Sequence, residues 1–175
     1  MNINQTIKGN NNSSGINIFK APLTVDLLPN EINELLDFLS DEENYVDESF
    51  GFDIPDLKLK NEKNGIDENY YNFMKADFSY FQDIADILRN DSDNTIKRKY
   101  SRATRLLQQQ YLSLFQEKMK EFITCIITKY SKDTGCSSDV SLKLAKLLHY
   151  MYSNCDIGIK PWLLINILIQ LKTHI

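Results

Sequence analysis

The chain has 175 residues, 42% of them hydrophobic, and a formal net charge of −4. That is one domain of ordinary size with enough apolar material for a packed core, and it carries no overall basic field to draw it onto nucleic acid or an anionic membrane. Cys125, Cys136 and Cys155 are odd in number and widely spaced, and no secretory leader pattern precedes them, so a reduced, cytoplasmic setting is expected.

Residues 1–24 come first. In "MNINQTIKGNNNSSGINIFK" isolated isoleucines alternate with Asn, Gln, Ser and Gly, too sparsely to offset the entropy of ordering the segment. It reads as a flexible Asn-rich leader unless a partner orders it; the alternative is a short strand added to another chain. In "LPNEINELLDFLSDEE", Pro29 suits a first helical turn and Ile32, Leu35, Leu36 and Leu39 form one stripe, which predicts a helix over 29–40. Residues 26–56 hold eleven acidic residues and no Lys or Arg.

Residues 41–66 show no sustained period and contain Gly51, Pro55 and Gly65, so a long irregular loop is expected. A helix over 68–89 follows, with Asp67 as N-cap and Tyr70, Met74, Phe78, Phe81, Ile84, Ala85 and Leu88 inward. From Ile96 another helix, running to about 111, turns Ile96, Tyr100, Ala103 and Leu107 inward and Arg98, Arg102 and Arg105 outward. Ser113 and Gln116 suggest a capping box and a break, with one long bent helix to about 131 as the alternative. Ser137 or Ser138 starts a helix over 138–153. Pro161 opens a final one in "WLLINILIQL", whose ten residues are about half of a bilayer span.

No segment joins strict alternation to hairpin turns, so the fold expected is all-α: a single irregular bundle of five to six helices, with a long loop after the first and a flexible leader. The regions are the leader 1–24, the helical domain 25–158 and an apolar, helical extension 159–175.

Candidate chemistry is concentrated in "LLHYMYSNCDIG", 147–158. Zinc would want Cys or His pairs at close spacing, and the chain has two histidines, His149 and His174, and scattered cysteines, so no metal is expected. No phosphate-binding glycine motif occurs and no cofactor is expected. Cys155 with His149 and Asp156 could form a nucleophilic site. The other reading is a structural lock of His149, Tyr152, Cys155, Asp156 and Gly158: a histidine tying down a neighbouring element, then a buried thiol, a turn-bonding carboxylate and a glycine free to take positive φ. His149 lies among Leu147, Leu148 and Met151, which favours the lock.

The segment 97–132 carries nine basic and two acidic residues. Arg98, Arg102 and Arg105 are therefore a solvated face, a dock for the acidic block, or a site for a partner or nucleic acid, though no aromatic residues are interleaved for base stacking.

"HYMYSNCDIG" at 149–158, preceded by "SLKLAKLL", resembles the closing segment of the C-terminal domains of bacterial ABC three-component conflict systems. "FDIPDLKLKNEKNGI" at 52–66, "NTIKRKYSRATRLL" at 94–107 and the Asn-rich leader resemble further parts in the same order. The resemblance implies a non-enzymatic interaction or sensor domain of an antiviral defence system, working with an ABC ATPase and a middle component, with no catalysis ascribed to it. The alternatives are a small enzyme using the Cys/His site and a nucleic-acid-binding module using 97–105.

Overall fold

In the computed structural model, residues 27–40, 57–135 and 137–160 are described, and among them the chain forms seven α-helices and no strand. The all-α expectation holds. The whole leader 1–24, the acidic segment 41–56, Cys136 and residues 161–175 of the extension lie outside the described residues.

Helix α1, Pro29–Leu39, buries the expected stripe of Ile32, Leu35, Leu36 and Leu39. The Glu31 carboxylate accepts the Leu28 N–H at 3.1 Å, which satisfies one of the amides left open at a helix start. The helix lies along α5, Thr95–Leu114, which turns Ala103, Leu107 and Tyr111 inward.

Within the loop expected over 41–66, Leu57–Lys63 is a helix, α2. Its inner face is polar: Lys60 and Asn61 are buried, with Asn64 just beyond. A search for apolar period finds nothing in such a segment. The helix expected over 68–89 is two, α3 Glu68–Lys75 and α4 Phe78–Arg89. At the join, the N–H groups of Ala76 and Asp77 reach back three residues, to Phe73 at 3.1 Å and Met74 at 2.9 Å. This tight turn sets Asp77 where its buried side chain meets α7.

The break after α5 is present, but Ser113 does not cap the next helix; its hydroxyl bonds the Gln109 carbonyl within α5. The chain turns through Phe115–Lys118, with Glu117 at φ 64°, into α6, Met119–Thr134. A Cβ on Gly65 would lie 1.9 Å from the Glu117 carbonyl oxygen, so only glycine lets these two loops touch.

Helix α7, Ser138–Ser153, packs against α6 and α4 and is enclosed on every side from Leu144 to Tyr152. Tyr150 is buried against the rings of Phe81 and Tyr100, because neighbours cover the whole end of the helix. Leu144, Leu147, Leu148 and Met151 are fully buried, worth about 1.5–3 kcal/mol each. Among the described residues no helix is long and apolar enough to cross a membrane.

Candidate functional site

The polar residues of the opening sequence stretch gather where α7 ends. Asn154 caps the helix and Cys155 follows at φ 63°. The Cys155 N–H donates to the Tyr152 carbonyl at 3.0 Å and the Asp156 N–H to the Met151 carbonyl at 2.9 Å. These nested bonds are a Schellman motif, in which the left-handed position usually belongs to glycine. Here a buried cysteine holds it, and the glycine, Gly158, takes a second positive φ of 106° three residues later.

Helix α2 supplies the partners from below. Lys60 is buried with its ammonium on the Tyr152 carbonyl, 3.5 Å from the Ser153 carbonyl and 4.1 Å from the Tyr152 ring centre. A cation there answers the open carbonyls and the negative end of the α7 dipole. Burial pushes the Lys60 pKa down, and the nearby Cys155 and Asp156 pull it partly back. Asn61 accepts the Tyr152 hydroxyl at 2.8 Å.

Asn64 grips the segment after the helix in both directions. Its amide donates to the Ile159 carbonyl at 3.0 Å, and its oxygen accepts the Ile159 N–H at 2.6 Å. Its own backbone carbonyl accepts the Met119 N–H at 3.0 Å, so one residue joins α2, the start of α6 and the exit of α7.

Helix α5 holds the same segment from another side. The Tyr100 hydroxyl donates to Asp156 at 2.5 Å. Burial raises the Asp156 pKa, with the Tyr100 bond acting against it. The Gln108 side chain accepts the Gly158 N–H at 2.7 Å and donates to the Gly158 carbonyl at 3.0 Å. A Cβ on Gly158 would stand 2.8 Å from the Asn64 side-chain oxygen and 3.2 Å from the Met119 methyl.

His149 belongs to a separate group one turn up. Its Nδ1 lies 2.7 Å from Asp77 and its Nε2 3.1 Å from the Tyr70 hydroxyl. Burial and the carboxylates of Asp77 and Glu121 raise the Tyr70 pKa well above its ordinary value, so the phenol stays protonated. Each imidazole nitrogen thus has its own hydrogen-bonding partner, Asp77 for Nδ1 and Tyr70 for Nε2. The rings of Tyr70 and Phe73 stand edge-on to the imidazole. The structure does not bring Cys155 to His149: both imidazole nitrogens are engaged elsewhere, and the thiol lies by the Ser153 carbonyl at 4.0 Å. A hollow of about 240 Å³ beside Tyr70 is lined by Asp67, Asn69, Phe73 and Lys120, smaller than the roughly 300–1,000 Å³ of ligand pockets. Among the described residues no group of three or more His, Cys, Asp or Glu could hold a metal ion.

Lys60, Asn61, Asn64, Asp77 and Gln108 were not anticipated from the sequence. Tyr70 and Tyr100 were counted as apolar stripe residues, and their buried hydroxyls were the signal for bonding partners. Of the arginines, Arg98 and Arg105 are exposed and Arg102 is half-buried on α5. The acidic α1 meets α5 through Lys99, which pairs with Asp37 at 2.6 Å.

No curated protein and no solved structure matches the chain. One family description does, over residues 19–158, in agreement with the resemblance seen in "HYMYSNCDIG". The chain belongs to C-terminal domain 12 of the ABC-three component systems.

Proposed function

We propose that this domain is a non-enzymatic, cytoplasmic interaction or sensor module of a prokaryotic antiviral defence system, acting by binding the ABC ATPase or the middle component of its own system. Family membership makes other components of the system the natural partners. The observation that carries the reading is the engagement of the interior chemistry. His149 has both nitrogens bonded, Asp156 is bonded to Tyr100, and Lys60 sits on helix-end carbonyls, so these groups serve the fold. A nucleophile–base pair needs mutual contact, and Cys155 and His149 have none.

In this reading His149, Tyr152, Cys155, Asp156 and Gly158 are a structural lock made of two fastenings. His149 ties α7 to α3 and to the turn before α4. Tyr152, Asp156 and Gly158 fix the exit of α7 to α2 and α5, and Cys155 closes the turn between them. The test is co-purification of the full chain with the other components of its system, for wild type, His149→Gln and Cys155→Ser. Wild type and Cys155→Ser should retain a component equally. Loss of an activity in Cys155→Ser, with an unchanged melting temperature and unchanged binding, would replace this reading with the enzyme.

A further inference from the structure

Among the described residues the outer face of α5 makes few bonds. Arg98, Arg102, Arg105, Gln109 and Leu112 follow at intervals of four, three, four and three residues, which sets all five in one narrow stripe. From Thr95 to Leu114 the helix carries five cations and no carboxylate. Lys99 lies aside and pairs with Asp37. Lys97 turns back to the Asp91 carbonyl at 3.3 Å, and Arg98 reaches the Asp93 carbonyl at 3.5 Å. Arg102 and Arg105 have no carboxylate partner among the described residues.

Arg102 is half-buried on this face. Partial burial fixes the guanidinium plane in advance, which suits the paired hydrogen bonds that arginine makes to a carboxylate.

The far end of the stripe decides the kind of partner. Leu112 is 40% exposed. A phosphate backbone would use the guanidinium groups and leave the leucine idle, and the stripe offers no aromatic surface to a base. A protein segment with carboxylates at one end and an apolar residue at the other would use the whole stripe.

We propose that this face of α5 docks an acidic amphipathic segment of a partner protein, with carboxylates against Arg98, Arg102 and Arg105 and an apolar side chain on Leu112. From Arg98 to Leu112 is about 21 Å of helix, so a helical occupant would be about four turns long. This deepens the interaction-module reading and rests on it.

The test uses the full chain as wild type, Arg105→Glu, Leu112→Ser and the triple Arg98→Glu/Arg102→Glu/Arg105→Glu. The probes are the purified ABC ATPase and middle component of the same system and a fluorescein-labelled 20-nucleotide single strand. One component should bind wild type and lose at least tenfold in affinity with Arg105→Glu and with Leu112→Ser, at unchanged melting temperature. Arg105 and Leu112 are exposed, so these two variants stay readable if the triple variant fails to fold. Equal binding by all folded variants overturns the docking face and leaves the interaction module standing. No component bound by wild type overturns both. Strand binding that Arg105→Glu abolishes and Leu112→Ser leaves intact, with component binding unaffected by either, assigns the face to nucleic acid and overturns the proposal.

Discussion

The exit of α7 and the outer face of α5 are both dense in polar side chains, and they end in opposite conditions. At the exit, Lys60, Asn61, Asn64, Tyr100, Gln108, Tyr152 and Asp156 all bond to one another or to backbone groups. On the outer face, Arg102 and Arg105 make no ion pair among the described residues. The difference follows from burial. A polar group taken from water must be matched inside, whereas one left in water can stay unmatched at little cost. A histidine, two tyrosines and an aspartate close together in sequence therefore point to internal bonding when the structure buries them, and groups left over at the surface are the better guide to a partner.

If that contrast is right, substitutions at the exit should damage stability and those on α5 should not. The largest effect belongs to Gly65→Ala, whose methyl would overlap the Glu117 backbone at a position with φ 65°. A loss of at least about 3 kcal/mol is expected in urea unfolding. Gly158→Val follows, by about 2–3 kcal/mol, since Asn64 and Met119 would have to move and φ there is 106°.

Lys60→Met should cost about 1–3 kcal/mol by leaving carbonyls of α7 unanswered. It should also change the pH profile. Burial lowers the Lys60 pKa, so between that lowered value and the ordinary lysine range the unfolded chain binds more protons than the folded one. The advantage of wild type over Lys60→Met should then grow as pH rises through this window in thermal melts.

Asp156 works with the opposite sign. Its folded pKa is raised, so its contribution is fully present below the ordinary aspartate value and is lost as pH rises through the raised one. Asp156→Asn keeps an acceptor for Tyr100 without the buried charge. Its stability relative to wild type should improve from acid to neutral pH, while Asp156→Ala should lose about 1–3 kcal/mol by orphaning the Tyr100 hydroxyl. The smallest effect is expected for Arg105→Glu, within about ±0.5 kcal/mol, because the charge contact between α1 and α5 runs through Lys99 and Asp37.

Legibility from sequence followed the same division. Helices whose inner face is apolar were found close to their ends, as α1 was by Ile32, Leu35, Leu36 and Leu39. α2 was missed because Lys60 and Asn61 occupy its inner face, where the apolar period would have been. The split between α3 and α4 was hidden because apolar residues keep a helical spacing across Ala76 and Asp77. At the exit, the sequence supplied Asp156 and Gly158 from turn chemistry, but their partners Tyr100 and Gln108 lie 56 and 50 positions away and nothing local marks them. Gly158 was read as a residue free to take positive φ, whereas the positive φ of Cys155 was not foreseen, since a cysteine seldom adopts it.

The polar inner face of α2 also bears on the order in which the chain folds. A seven-residue helix is too short to persist alone, and this one has no apolar stripe to draw it into an early collapse. Its bonds close on residues more than ninety positions later, Tyr152 and Ile159, so it gains its partners only once α7 has formed and docked. Contacts made that late are absent from the rate-limiting ensemble. Changes in α2 should therefore leave the refolding rate nearly untouched and appear almost wholly as faster unfolding.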